Sequence, residues 1–154
     1  MSLEHEFFLV PNTVSYQELM GSNKKTTDII DSITLSDDLI QYIADSLNWI
    51  PCKNPAVSMT KEVKGINYEG VTLFDRTSAA TMKSIFKAWY ALFLNAPEKL
   101  ELTGEFVYSS NKKVLGGREG LVFYKKDALE LLDRLLSMIE RLEEENLYLY
   151  HLGI

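Results

Sequence analysis

Between Ser78 and Asn95 the chain places Met82, Ile85, Phe86, Trp89, Leu92 and Phe93 on one helical face. Ala88, Tyr90, Ala91 and Leu94 leave little polar surface on the rest of its second half. Apolar residues recurring at three- and four-residue spacing predict a helix. One that is apolar nearly all round must be buried between layers or cover a partner. Lys83, Ser84 and Lys87 keep only its first half wet, and Pro97 ends it. This segment restricts the fold to architectures in which helices pack on another layer.

Two further helices are expected. From about Asp37 to Leu47, Leu39, Ile40, Ile43 and Leu47 recur at helical spacing, with Ser36 as N-cap and Asp37 and Asp38 at the positive end of the helix dipole. Trp49-Ile50-Pro51 is expected to pack inward as the chain leaves this helix. From about Asp127 to Glu145, Leu129, Leu132, Leu135, Leu136, Ile139 and Leu142 face in. Glu130–Arg134 and Arg141–Glu145 are its expected surface pairs.

Strands fill the intervals. Glu4 to Val10 reads as a short strand. Pro11 to Thr34 is polar and loosely patterned, with room for short helical pieces. Val57 to Phe74 shows strand spacing, with Lys64-Gly65 as a turn and Gly70 marking a bulge or a close backbone approach. Leu100 to Tyr108 alternates apolar and polar residues, as a strand with one buried face does. Gly120 to Tyr124 reads as its antiparallel neighbour, and the loop between carries Lys112, Lys113, Gly116, Gly117 and Arg118. Leu147 to Ile154 alternates again and reads as a terminal strand with a docked end. Strands and helices mix without a βαβ rhythm. The expected class is α+β: one domain over residues 1–154, with a mixed or mainly antiparallel sheet of four to six strands and three main helices.

Composition narrows the function. The hydrophobic fraction of 46% over 154 residues supports a core without staples. The single cysteine, Cys52, excludes an intrachain disulfide framework and fits a reducing, cytoplasmic setting. No signal-peptide pattern is visible, and no apolar run approaches the roughly 20 residues of a membrane helix. The net charge of −6 disfavours polyanionic partners and suits basic ones.

Candidate chemistry is sparse. Two histidines, His5 and His151, are isolated in sequence, and a catalytic zinc needs about three protein ligands. No metal site and no cofactor are expected. His151, among Tyr148, Tyr150 and Leu152, reads as a packed imidazole, and His5 as lying near a flexible end. Cys52 follows a helix C-terminus, which does not favour a thiolate, and reads as a buried, inert thiol. Glu101 and Glu105 on one strand face lie about 13 Å apart along the backbone, more than a glycosidase pair allows. Gly116-Gly117-Arg118-Glu119-Gly120 leads into a strand rather than a helix, so it reads as a hairpin turn, not a phosphate cradle. The lysine-rich loop could meet a phosphate backbone, but nucleic acid suits this acidic chain poorly. Trp89 is expected in the core, and Asp75 to start the second helix.

The expected function is therefore a non-enzymatic protein-binding module of bacterial immunity or accessory type. It would recognise an unidentified, basic partner protein through an acidic and aromatic surface, with Glu140 and Glu144 offering docking carboxylates. The alternative is a small-ligand binder or metal-independent enzyme using Tyr68, Asp75, Arg76 and Arg118 in a sheet–helix cleft. Homodimerisation through the apolar helix is a further option. Histidine, cysteine and several carboxylates gathered around one open hollow would argue against the non-catalytic reading.

Overall fold

The computed structural model describes residues 3–21, 28–107 and 117–154; of 104–107 and 117–121 the backbone alone is described. In chain order the elements are β1 (Glu4–Pro11), α1 (Tyr16–Met20), β2 (Asp31–Ser36), α2 (Asp37–Leu47), β3 (Pro51–Lys53), β4 (Glu62–Lys64), β5 (Val71–Phe74), α3 (Arg76–Phe93), β6 (Lys99–Val107), β7 (Gly117–Tyr124), α4 (Lys125–Glu144) and β8 (Leu147–Leu152). Six strands form an antiparallel sheet in the order β2-β1-β8-β5-β3-β4, and β6 and β7 form a separate two-stranded sheet. The fold is α+β, with more short strands than the sequence suggested.

Strand alternation sorts residues onto two faces. Phe7, Leu9, Ile33, Leu35, Phe74 and Leu149 point towards α2, α3 and α4, whose Ile40, Met82, Phe86, Leu132, Leu135 and Ile139 complete the main core. Phe8, Val10, Val71, Leu73 and Tyr150 point to the other face, where Val14 and Leu19 cover them. Leu19 belongs to α1, a single short helix that Ser15 caps from its side chain. β8 lies between β1 and β5, with Leu9 opposite Leu149 and Leu73 opposite Tyr150. The final strand is thus interior to the sheet.

Several expectations are revised. Ile33 and Leu35 alternate with exposed Ser32 and Thr34 to make the edge strand β2 within a stretch read as irregular. Residues 54–60 turn rather than extend, and β4 is only three residues long. Pro51 opens β3, and Ile50 is buried, but Trp49 points outward. β7 begins at Gly117, three residues before the expected start, so Gly117, Arg118 and Gly120 belong to the strand; residues 108–116 of the loop, with Lys112, Lys113 and Gly116, lie outside the described residues. Arg134 reaches Asp31 (3.5 Å) and the Ser32 carbonyl (2.9 Å), while Glu130 faces Lys126 instead. The Arg141–Glu145 pair is present at 2.8 Å.

Two glycines shape the turn that follows β4. Gly65 has φ of +89°, which a side chain would strain. A Cβ on Gly153 would overlap the Tyr68 carbonyl, yet the chain here must approach closely: Gly153 N–H donates to Gly70 O (2.8 Å) and Ile154 N–H to Tyr68 O (3.1 Å). The last residues therefore pin the 65–70 turn from outside the sheet.

α3 starts at an explicit signal. The Asp75 carboxylate accepts from Thr77 N–H at 2.9 Å, and Asp75 N–H donates to Ser78 Oγ at 3.2 Å, a reciprocal capping box. Lys53 Nζ lies 2.6 Å from the same carboxylate. Burial opposes ionisation of Asp75, but hydrogen bonds from Lys53 and Thr77 outweigh it and hold the group below the usual carboxylate range. Asp75→Ala is expected to cost about 1–2 kcal/mol in urea unfolding, and Asp75→Asn, which retains an acceptor, less than half as much. Equal losses for both would mean that the Lys53 charge, not the cap, is what matters.

Candidate functional site

Two arrangements gather residues that are distant in sequence. The first is a buried polar cluster beneath the start of α2. β1 and β8 pair so that Phe7 faces His151, which puts His5 on the diagonal, on the helix-covered side. Both imidazoles are fully buried (0% exposed), their rings stacked with centroids 5.0 Å apart. His5 Nδ1 and His151 Nε2 are 2.8 Å apart, and His5 Nε2 lies 3.0 Å from Asp37 Oδ1. Asp37 is the first residue of α2, where the helix dipole favours a carboxylate. It also accepts from the Tyr68 hydroxyl at Oδ1 and from Gln41 Nε2 at Oδ2 (2.6 Å).

Proton positions follow from these partners. His5 Nε2 faces a carboxylate and carries hydrogen. With one ring proton on each imidazole, His5 Nδ1 then accepts from His151 Nε2–H, and His151 Nδ1 is a bare acceptor. That atom is buried and has no hydrogen-bond partner. A third ring proton would leave an N–H there without an acceptor, whichever ring received it, and a buried unsatisfied donor costs about 1–3 kcal/mol. Burial, reinforced by repulsion from His5, pushes the His151 pKa down to about 3. At Asp37 burial is the largest single influence and opposes ionisation. Hydrogen bonds from Tyr68, His5 and Gln41 overcome it and hold the pKa below the usual range.

This geometry overturns the reading of His5 as lying near a flexible end; His151 is the packed imidazole expected, and the two histidines, isolated in sequence, meet in space. It does not create a reaction centre. A general base must reach a substrate proton within hydrogen-bond distance, and both rings are sealed. The 2.8 Å between imidazole nitrogens is the span of a shared proton. Two nitrogens on a tetrahedral zinc, each about 2.0–2.1 Å from the metal, sit roughly 3.4 Å apart. Among the described residues no group of three or more His, Cys, Asp or Glu is placed to hold a metal. Cys52 lies elsewhere; its Sγ–H donates to Gly65 O at 3.1 Å, and burial, aided by Glu62, raises its pKa to about 11. The cluster clasps β1, β8, α2 and the 65–70 turn together.

The second arrangement is on the surface. α2 and α3 pack side by side, and the seam between them opens into an apolar hollow of about 710 Å³. Its floor and walls include Ala88, Trp89 and Leu92 of α3 and Ser46 and Trp49 at the end of α2. Trp49 is 64% exposed and Leu92 55%. Trp89 was expected in the core but is only half-buried; its indole N–H donates to Ser46 Oγ at 2.8 Å, so its polar atom is satisfied while one ring face lines the seam. Tyr42 packs edge-on against Trp89, with centroids 5.6 Å apart. A smaller hollow of about 240 Å³, between Tyr42, Leu92 and Leu102 of β6, continues the surface past the end of α3. Along the outer side of α2, Asp38, Tyr42, Asp45 and Trp49 follow at four-, three- and four-residue spacing, all exposed. Acidic and aromatic side chains thus alternate along one rim.

The residues singled out from sequence are distributed differently. Tyr68 belongs to the buried cluster through its hydroxyl. Asp75 is the α3 cap. Arg76 donates to the Glu144 carbonyl at 3.1 Å, which brings two candidates together through backbone, not carboxylate. Glu140 is exposed on α4, near enough to Lys83 to raise its pKa, though Glu143 at 2.9 Å is the main cause. The side chain of Arg118 lies outside the described residues. Tyr68, Asp75 and Arg76 are each engaged with different partners. What the sequence reading missed was Trp49, taken as inward; for the apolar face that carries Leu92 it left burial and a covering partner both open. The signal available was the helical spacing of Asp38, Tyr42, Asp45 and Trp49.

Among the described residues no helix is long and apolar enough to cross a membrane. Comparison with known protein families, curated proteins and solved structures finds no match to this chain.

Proposed function

We propose that this chain is a non-enzymatic protein-binding module of the immunity or accessory kind, which recognises a partner protein through the acidic and aromatic surface at the α2–α3 seam. The observation that carries this reading is Trp49, 64% exposed beside a hollow of about 710 Å³. Tryptophan at the centre of a concave apolar patch is the usual anchor of a protein interface. Leaving it in water forgoes burial worth about 2–3 kcal/mol. Asp45, four residues before Trp49, and Asp38, two turns farther up α2, are exposed carboxylates that form no ion pair among the described residues, in keeping with a basic partner and a chain of net charge −6. The alternative, a ligand cleft built on Tyr68, Asp75 and Arg76, has less support, because Tyr68 and Asp75 are engaged at separate places within the fold and Arg76 is turned to the Glu144 carbonyl on the surface.

The test is affinity purification from the native host with the parent chain and with Trp49→Ala and Ala88→Arg. Both positions are exposed, so thermal melting of the variants should match the parent. A partner retained by the parent and lost from both variants is the expected result. A partner retained equally by all three would remove the seam from consideration.

A further inference from the structure

Resting on that reading, we infer that the α2–α3 seam takes a single amphipathic α-helix of the partner, with basic residues along the flank that lies over α2. Three features of the seam select this occupant. The floor follows α3, where Ala80, Ser84 and Ala88 are exposed at four-residue intervals. Small side chains on such a ridge let a second helix approach along it, while Trp49 beside the ridge and Leu92 at its end stand up to enter its grooves. The rims carry charge of unlike sign. On α2, Asp45 is exposed four residues before Trp49 and Asp38 two turns farther up the helix; on α3, Lys87 is exposed next to Ala88; none of the three forms an ion pair among the described residues. A helix lying between them is favoured when its α2-facing flank is basic, and that charge pattern fixes its direction as well as its register.

The size of the patch argues against a second copy. Trp49, Leu92 and Tyr42 are 64%, 55% and 37% exposed. With the alanines between them, they offer on the order of 400 Å² of apolar surface, well below the roughly 800 Å² per partner of a stable interface. One helix can instead wrap its own sides into the hollow and use both walls. An added strand fits no better, because the seam offers side chains and helix surface, not free backbone N–H and C=O groups.

A display library of linear and helix-biased peptides, selected against the full chain, tests this directly. The expected winners carry large apolar residues at i, i+3, i+4 and i+7 with Lys or Arg on one flank. Their affinity should fall about 30-fold or more against Trp49→Ala, fall several-fold against the Asp38→Asn, Asp45→Asn double variant, and weaken with added salt. Winners that are extended or acid-flanked but still need Trp49 would overturn the helix and leave the protein-binding reading standing. No enrichment at all would remove both. A concentration-dependent dimer in sedimentation, dissolved by Ala88→Arg, would assign the seam to a second copy. Tight filling of the hollow by an anilinonaphthalene sulfonate dye with no peptide enriched would assign it to a small apolar ligand.

Discussion

Replacing Asp37 by alanine is expected to destabilise the fold by about 2–4 kcal/mol, the sum of about 1–3 for a buried donor left unsatisfied and up to about 1 for a carboxylate lost from the first turn of a helix. The loss comes from what the carboxylate leaves behind. Tyr68 and Gln41 are half-buried and can turn towards water. His5 cannot, since its ring is fully buried and Asp37, at 3.0 Å, is the only carboxylate it contacts among the described residues. Its Nε2–H becomes an orphan donor between sheet and helix, and α2 loses a carboxylate from its first turn. Asp37→Asn keeps an acceptor oxygen and should cost roughly half as much. Tyr68→Phe removes one donor and leaves the carboxylate with two, for a loss of about 1 kcal/mol. The measurement is urea unfolding of the three variants. If Asp37→Ala lies within about 1 kcal/mol of the parent, the cluster does not clasp the fold as its geometry implies.

Acidification is expected to remove a comparable amount of stability without any substitution. His151 is held at a pKa of about 3 in the fold, against an ordinary value of 6.5. Between those values the unfolded chain binds a proton that the folded chain refuses. Stability from this group is therefore fully present above about pH 6.5 and falls as pH drops, by about 1.4 kcal/mol for each pH step and on the order of 4–5 kcal/mol in total by pH 3. Asp37 adds to the loss at the lower end. Its folded pKa lies below the ordinary 3.8, so its contribution is present above that value and disappears as pH falls through the folded pKa. The expected profile is a steady fall in unfolding free energy from pH 7 to pH 4, most of it flattened in His151→Gln. That variant can still donate from Nε2 to His5 but cannot take up a proton. A parent whose stability is constant over this interval, or a variant that keeps the full slope, would show that water reaches Nδ1 and relieves it.

What could be read from the sequence depended on whether an element's pattern is self-contained. α2 and α4 were legible because each carries its apolar spacing, and α2 its Ser36 cap, within its own length. The β6–β7 hairpin was legible for the same reason. β2 was not, because Ile33 and Leu35 are its only apolar residues, as suits an edge strand with one face in water. The histidine pair left no local trace: the two residues are 146 positions apart, and only the placing of β8 beside β1 joins them. Trp49 and Leu92 show another limit. Periodicity marks a face as apolar but does not say whether the same chain covers it. The sequence reading admitted a covering partner for the apolar helix, yet assigned Trp89 to the interior.

The position of β8 between β1 and β5 has a consequence for synthesis on the ribosome. The paired strands β1 and β2 emerge before the rest of the sheet, but β8, the strand that joins them to β5 and β3, begins at Leu147, long after β2 ends at Ser36. Until then two sheet fragments expose unpaired edges, and His5 and Asp37 face water. Closure of so long a loop is slow compared with local pairing, so the sheet is completed only after β8 has left the exit tunnel. A nascent chain halted before Leu147 would present two open strand edges at once, the state that a holding chaperone recognises.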